Sequence, residues 1–236
     1  MYRIIPHKLL YTIIAWLILG VYLGINSIAQ WLQAELRLSS AITLGWLLIS
    51  ALLINPVWRW VWRRVPALGR WIFPDLNGEW DVEIVSNHSI HRQLADAAAR
   101  RTEKFDIDLC PDCDLAPLMA VHLKAEIVQT WFKFEIVLEN PAGNTPIRRS
   151  EVVSVDPFRG DGLKRGGLYY FFEQENETAG QSDERYFYGA ARVEYDPRSD
   201  ILAGLFWTER MWHRGLNTAG KIRYRRANAA RNLPAR

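Results

Sequence analysis

The chain has 236 residues, 49% of them hydrophobic and 12% aromatic, and its formal net charge at pH 7 is +3. This composition is that of a folded protein, because a disordered chain lacks so much apolar surface to bury. The small net charge predicts no broad basic surface, so we expect no binding to DNA or RNA polymers. The two cysteines are typical of a reduced compartment, where disulfides seldom persist.

Two runs without Asp, Glu, Lys or Arg lie near the N-terminus, at residues 9–34 and 38–58. Each is as long as the roughly 20 residues that a helix needs to cross the hydrocarbon core of a bilayer. The sequence predicts a transmembrane hairpin with helices at about 9–30 and 39–58, in which Asn55-Pro56 kinks or ends the second helix. A cleavable signal peptide is the competing interpretation of the first run, although that run exceeds the usual hydrophobic core.

Basic residues dominate the first 73 residues, where seven Lys or Arg side chains accompany one Glu. They lie at both outer ends of the predicted hairpin and in the juxtamembrane segment after it, while the connector at residues 35–37 is nearly neutral. Because Lys and Arg favour the cytoplasmic side of membranes, we expect a multi-pass protein with both termini and residues 74–236 in the cytoplasm. The two runs contain no internal acidic or basic side chain, which argues against a transporter.

From about residue 76, apolar residues recur with a period of two, which is the pattern of half-buried β-strands. Eight strands are predicted, near residues 80–84, 121–127, 132–138, 148–155, 167–174, 186–195, 201–208 and 220–226. Strands of this regularity favour a closed antiparallel barrel over an open sheet with exposed edges. The predicted fold class is mainly β: an eight-stranded antiparallel β-barrel at 74–236, preceded by the hairpin at 1–73 and interrupted by an insertion at about 87–115 with a short helix.

The interior of such a barrel is wide enough either to be filled by side chains or to hold one small ligand. Gly189, Ala191 and Gly204 fall on predicted inward faces and would leave room for a ligand, although glycine also relieves strand curvature. Both possibilities stay open at this point. The inward face of residues 148–155 is open as well, because both of its faces carry charged residues.

Four candidate metal ligands lie in the insertion: His88, His91, Cys110 and Cys113. Their arrangement as two closely spaced pairs predicts a structural zinc site, because four protein ligands leave no open position for catalysis. Two packed thiols in a turn are the competing interpretation, since the separation between the pairs is not that of a standard zinc finger.

The sequence contains no G-x-S-x-G elbow, no phosphate-binding G-x-x-x-x-G-K-[ST] loop and no H-E-x-x-H motif, so we expect no enzymatic activity. Two predicted strands instead carry residues suited to a nucleotide, namely Tyr170, Phe172 and Gln174 on one and Gly204, Phe206, Thr208 and Arg210 on the other. Aromatic rings stack on bases, and arginine binds phosphate with two parallel hydrogen bonds. An aromatic core with a surface arginine is the alternative interpretation of the same residues.

Several short motifs follow one another along the chain: Gly78-Glu79-Trp80, Gln129-Thr130-Trp131 with Lys133 and Phe134, Leu168-x-Tyr170-x-Phe172-x-Gln174, Tyr188-Gly189, Gly204-x-Phe206-Trp207-Thr208-x-Arg210, and Thr218-Ala219-Gly220-Lys221-Ile222. Together with the hairpin, they resemble the membrane-anchored β-barrel effectors of bacterial cyclic-oligonucleotide-based anti-phage signalling systems (CBASS). This family is also described as the nucleotidyltransferase-associated two-transmembrane, β-strand-rich effector domain. The resemblance covers nearly the whole chain.

The resemblance implies a sensor in the bacterial inner membrane that has no enzymatic activity and requires no cofactor. Its barrel would bind a cyclic dinucleotide from a partner nucleotidyltransferase, oligomerise and disrupt the inner membrane, with death of the infected cell. The candidate ligand contacts are Tyr170, Thr208, Arg210 and Trp207. Trp207 would point outward if Phe206 points inward. The family usually has Asn at the position of Gln174 and Tyr near Phe206, which leaves the choice of nucleotide open.

Two other functions compete with this one. A membrane-tethered, lipocalin-like carrier of an apolar ligand would also begin its barrel with a segment such as Gly78-Glu79-Trp80. A membrane scaffold with a filled barrel would bind no ligand and would only assemble partners.

Overall fold

The computed structural model describes residues 7–32, 38–100, 105–143, 145–160, 165–177 and 184–227. The chain divides into two compact units. The first unit comprises Met1–Asp75 and Thr130–Lys133, and the second comprises Leu76–Gln129 and Phe134–Arg236.

The first unit is helical: α1 (His7–Leu32), α2 (Leu38–Leu53), α3 (Asn55–Arg64) and α4 (Pro66–Trp71). The predicted break at Asn55-Pro56 is confirmed, and it shortens the second predicted helix, which does not run unbroken over 39–58. Pro56 lies in the first turn of α3, where a missing N–H leaves no hydrogen bond unmade. The predicted connector at residues 35–37 lies outside the described residues.

Within the described part of the helical unit, no single helix is both long enough and apolar enough to cross a membrane. The segments Ile42–Leu53 and Asn55–Arg64 meet that test only as a pair, and the pair is bent by 85°.

Three tryptophans of the first unit, Trp58, Trp62 and Trp131, pack edge to face with ring centroids 5.5, 5.8 and 6.4 Å apart. Each indole N–H donates to an oxygen of the same unit: the Asn55 side chain at 2.9 Å, the Phe73 main chain at 2.8 Å and the Leu52 main chain at 2.9 Å. Trp60 on α3 is instead 57% exposed. The helix therefore has one face packed by aromatic rings and one face open to its surroundings.

The second unit is a closed β-barrel. Its strands are β1 (Gly78–Ser86), β2 (Met119–Gln129), β3 (Phe134–Glu139), β4 (Ile147–Phe158), β5 (Gly167–Asn176), β6 (Tyr186–Asp196), β7 (Ile201–Thr208) and β8 (Ala219–Arg226). Each strand pairs antiparallel with the next, and β8 pairs with β1 to close the barrel. The predicted class, mainly β with eight antiparallel strands in a closed barrel, is confirmed. The insertion between β1 and β2 contains α5 (His88–Arg100) and a 3₁₀ turn at Asp112–Asp114, while residues 101–104 lie outside the described residues.

One half of the barrel interior is filled by fully buried side chains, and we call it the closed half: Leu76, Trp80, Ile127, Ile136, Leu168, Val193 and Leu202. The Trp80 indole N–H donates to the Leu76 carbonyl oxygen at 3.0 Å. The Arg226 guanidinium lies 4.3 Å from the centre of a Trp80 ring and pairs with Asp200 at 2.6 Å. A cation over an aromatic face adds to the stability that burial provides. The closed half is thus a packed core rather than a channel.

Strand β4 is irregular, which explains why its faces could not be assigned from its sequence. The register against β5 shifts between Ile147 and Arg149 and again between Val152 and Ser154. Each shift inserts an extra residue and breaks strict alternation. As a result Ser150 is buried, while the charged residues on either side of it are exposed.

Candidate ligand cavity in the open half of the barrel

The other half of the barrel interior contains a cavity, and we call it the open half. It lies at the end of the barrel where β1, β5 and β7 finish. The space free of protein atoms amounts to about 820 Å³, including the part open to solvent. The part of this space that the centre of a water-sized group can occupy is about 100 Å³, which is below the roughly 300–1,000 Å³ of typical small-molecule sites. The interior is therefore neither filled throughout nor open throughout.

Two buried tyrosines lie deepest among the polar groups of the cavity. The hydroxyl oxygens of Tyr170 on β5 and Tyr224 on β8 are 2.7 Å apart. Burial raises the pKa of both phenols well above the ordinary value, so both stay neutral in the physiological range. Since one hydroxyl donates to the other, the acceptor hydroxyl keeps a proton that a ligand could receive. The structure thus places the candidate contact Tyr170 in the cavity.

Aromatic side chains form much of the wall. Phe172, Phe187 and Phe206 line the cavity, and Phe206 is buried as the period of two predicts. The Phe172 ring lies against Gly189, where an added Cβ would overlap it. The room that the sequence predicted at Gly189 is therefore occupied by the Phe172 ring. At Gly204 an added Cβ would overlap main-chain atoms of β6, so this glycine permits close approach of two strands.

Arg210 brings a positive charge into the open half. It follows the end of β7, is only 5% exposed and lines the cavity. Its guanidinium donates to His88 Nδ1 at 3.2 Å. Burial, and then the charge of Arg210, lower the pKa of His91 on the next turn of α5. The guanidinium carries five N–H donors, and a phosphate oxygen is a strong, charged acceptor for such donors.

Side-chain amides and hydroxyls surround the arginine. Gln174 Nε2 donates to Asn176 Oδ1 at 2.9 Å, and Asn176 Nδ2 donates to the Glu184 carbonyl oxygen at 3.2 Å. Within the described residues, the Gln174 side-chain oxygen accepts no hydrogen bond, and the Ser86 and Ser150 hydroxyls have no partner. All three of these residues line the cavity. They supply donors and acceptors that a polar ligand could use.

Thr208, another predicted contact, also lines the cavity, but its hydroxyl is engaged by its own turn. It lies 2.7 Å from the Thr218 hydroxyl oxygen and accepts from the Thr218 main-chain N–H at 3.2 Å. These bonds join the end of β7 to the start of β8. Thr208 therefore shapes the rim, and the Thr218 hydroxyl beside it is an additional candidate contact.

Trp207, the fourth predicted contact, does not reach the cavity. It is 51% exposed and lies on the outer face of the barrel, because its neighbours Phe206 and Thr208 point inward. Alternation along β7 thus separates Trp207 from Tyr170, Thr208 and Arg210. The sequence had suggested this outward direction.

Three of the four predicted zinc ligands, His88, His91 and Cys110, have side chains that the structure describes. Among the described side chains, no three His, Cys, Asp or Glu residues are close enough to hold a metal ion. His88 Nδ1 instead receives a hydrogen bond from a cationic side chain, and the Cys110 thiol lies 3.7 Å from the Pro111 carbonyl oxygen. The side chain of Cys113 lies outside the described residues. The zinc site at His88, His91, Cys110 and Cys113 therefore stays a prediction.

Sequence reasoning missed several residues of the cavity: Ser86, His88, Ser150, Asn176 and Thr218. Period two gives a signal for Asn176, which shares the inward face of Gln174 on β5. Nothing in the local sequence pairs His88 with Arg210, because they meet only when the barrel closes. Together the cavity offers aromatic rings, one buried cation and several neutral polar groups, which suit an anionic ligand with flat heteroaromatic rings.

Comparison with curated proteins identifies a relative over nearly the full length of the chain. This relative is a protein of Escherichia albertii named CD-NTase-associated protein 15. It is 26% identical over 225 residues, which make up 94% of this chain and 96% of the relative. No protein-family model matches the chain.

Proposed function

We propose that this protein is a membrane-bound, non-enzymatic effector of anti-phage defence whose barrel binds a cyclic dinucleotide. The single observation that carries this proposal is the buried Arg210 among the aromatic and amide side chains of the open half. A cyclic dinucleotide combines two phosphates with two flat bases, and it needs positive charge, stacking surfaces and hydrogen bonds together.

The relative from Escherichia albertii supports this proposal, since its name associates it with a nucleotidyltransferase. An enzyme of that kind would supply the cyclic dinucleotide, and this protein would act downstream of it in CBASS-type signalling. The likeness extends over 94% of the chain, so both the helical unit and the barrel fall within it. The helical unit would anchor the protein in the inner membrane, which is consistent with the apolar runs and with the excess of basic residues beside them.

The proposed mechanism is a population shift. A phosphate oxygen that enters the open half accepts a charge-assisted hydrogen bond from Arg210, which also contacts His88. His88 begins α5, so a movement of Arg210 toward the phosphate would alter the rim of the cavity. If the assembled form of the protein binds the ligand more tightly than the separate form, ligand drives assembly by that difference in affinity. Assembly of many hairpins in one patch of bilayer would then disrupt the inner membrane.

The decisive experiment measures ligand binding by the full-length chain in detergent. Synthetic cyclic dinucleotides that contain adenine, guanine or uracil are titrated by calorimetry and by thermal shift. A ligand at 100 times its dissociation constant stabilises the folded state by about 2.7 kcal/mol, which thermal shift detects readily. The variant R210A should bind at least about 100-fold more weakly with an unchanged unfolding temperature, because a buried ionic hydrogen bond to phosphate is lost.

The matched control is R198A, since Arg198 is an exposed arginine in the turn between β6 and β7. Its affinity should equal that of the unaltered protein. Equal binding by R210A would contradict the proposed site, and no stabilisation by any cyclic dinucleotide would contradict the proposed ligand. Flotation of the unaltered protein with lipid vesicles tests the membrane anchor separately.

A lipocalin-like carrier is the second candidate, favoured by the largely apolar wall of the cavity and by its packed closed half. A carrier would be stabilised by fatty acids and would tolerate R210A. The same thermal-shift screen therefore separates the two functions. A scaffold would respond to neither class of ligand.

A further inference from the structure

The outer surface of the barrel carries a continuous group of exposed apolar side chains, which we call the outer patch: Tyr169, Phe171, Tyr188, Leu205 and Trp207. Their exposed fractions are 43%, 62%, 53%, 58% and 51%, respectively. Phe171 is opposite Ala190 in the sheet, and Ala190 is opposite Trp207, so the patch crosses three adjacent strands. Contiguous apolar surface of this kind marks an interaction site, whereas scattered apolar residues do not.

Charged residues border the outer patch with opposite signs at its two edges. Glu173 and Glu209 lie on either side of Tyr188 at the edge nearer the open half. Arg192 and Lys221 lie on either side of Leu205 at the edge nearer the closed half, and Arg192 pairs with Glu194 at 2.6 Å. One edge is thus acidic and the other carries a net positive charge, with the apolar row between them.

We propose that the outer patch is the surface through which two copies of this chain associate. A two-fold axis along the row from Phe171 to Trp207 would lay the acidic edge of each copy against the basic edge of the other, and the apolar row against itself. Within the described residues, neither Glu173 nor Lys221 has an ion-pair partner, so both are available to a second copy. Because the patch is complementary to itself, the partner that it fits is a second copy of this chain.

The outer patch also shares its strands with the ligand cavity. On β5, Phe172 lines the cavity and Phe171 belongs to the patch, and on β7 the same relation holds for Phe206 and Trp207. A ligand that changes the packing of inward side chains therefore acts on the backbone that carries the outward ones. This inference rests on the proposed function, because it names the surface through which ligand binding leads to assembly.

The test uses full-length protein in detergent with the cyclic dinucleotide that binds most tightly in the calorimetric screen. Assembly is followed by light scattering, and binding is measured separately by calorimetry. We expect F171K to bind the ligand normally but to need at least about tenfold more protein for half-maximal assembly, because an aromatic residue central to an interface is replaced by a charge. The matched control is V128K, which places the same charge at an exposed apolar position on β2.

A second pair of variants tests the charge arrangement directly. The E173K/E209K variant has two basic edges, and the R192E/K221E variant has two acidic edges. Each alone should assemble more weakly than the unaltered protein, because like charges face each other across the interface. An equal mixture of the two should recover assembly, since a basic patch then meets an acidic one.

Five outcomes separate this inference from the proposed function. Normal assembly by F171K, or no recovery in the mixture, overturns the outer patch as the interface and leaves ligand binding intact. Reduced vesicle flotation by F171K with unchanged assembly also overturns it, because the patch then contacts lipid. If F171K loses ligand binding, the substitution has disturbed the barrel itself, and the mixture of E173K/E209K with R192E/K221E then decides whether the outer patch is the interface. Failure of the unaltered protein to bind any cyclic dinucleotide and to assemble overturns both proposals.

Discussion

The closed and open halves of the barrel are built from the same eight strands, yet they differ in what fills them. In the closed half, Trp80 is fully buried and its one polar atom is hydrogen-bonded to a neighbouring carbonyl oxygen. In the open half, Phe172 and Phe206 share the interior with Arg210 and amide side chains. Alternation thus fixes which residues face inward, while the identity of the inward residues decides whether a barrel is packed or hollow. Stability and ligand binding should separate along this division.

Trp80→Ala should produce the largest loss of stability, because it disrupts the packing of the closed half. Removing a fully buried tryptophan leaves a cavity and deprives Arg226 of the ring it covers. We expect the free energy of unfolding to fall by about 3–5 kcal/mol, as is usual for large-to-small changes in a core. Denaturant unfolding of the full-length protein measures this loss. The control is Trp207→Ala, which removes an exposed tryptophan and should change stability by no more than about 0.5 kcal/mol.

A comparable loss in both tryptophan variants would contradict the division into a packed interior and a free outer surface. The ligand adds a second criterion. Under conditions where Trp80→Ala remains folded, its affinity for ligand should stay close to that of the unaltered protein, because Trp80 does not line the cavity. If ligand affinity instead falls together with stability, the closed half and the open half are energetically coupled and the proposed division is wrong.

The fold could be predicted closely from sequence because most strands alternate without interruption. In β2, every second residue from Val121 to Gln129 is buried and every residue between them is exposed. The inward face of β4 could not be predicted in this way, because its two register shifts move side chains from one face of the strand to the other. Such shifts depend on pairing with β5, which the sequence of β4 alone does not reveal.

The candidate site could be predicted only in part. The period of two correctly predicted that Phe206, Thr208 and Arg210 point into the barrel and that Trp207 points outward. It could not show that the Thr208 hydroxyl is engaged by a threonine across the turn, nor that His88 meets Arg210. These contacts join residues far apart in the chain, so they follow from closure of the barrel rather than from local pattern.

Gly189→Ala tests the packing of the open half, and we expect it to lower stability less than Trp80→Ala does. The new methyl group would overlap the Phe172 ring, which must turn into the cavity. We expect a loss of about 1–3 kcal/mol in stability, as overpacking usually costs, together with weaker ligand binding. The double variant Gly189→Ala/Phe172→Leu removes the overlap and should be more stable than Gly189→Ala alone. If the second change gives no relief, the Phe172 ring does not occupy the space at Gly189, and calorimetry with denaturant unfolding would show this.

The smallest expected effect concerns the tyrosine pair deep in the open half. Removing either hydroxyl, by Tyr170→Phe or Tyr224→Phe, should lower the free energy of unfolding by about 1 kcal/mol, the usual net value of one hydrogen bond.

The tyrosine pair should also make stability depend on pH. Because burial raises the pKa of both phenols in the folded state, the unfolded chain loses these protons first as pH rises past about 10. The unfolded state then binds fewer protons than the folded state, so the free energy of unfolding falls as pH rises. Denaturant unfolding between pH 8 and about pH 11 should show a steeper decline for the unaltered protein than for the double phenylalanine variant. Parallel declines would mean that these hydroxyls ionise as readily in the folded barrel as in the unfolded chain, and that water reaches the floor of the cavity freely.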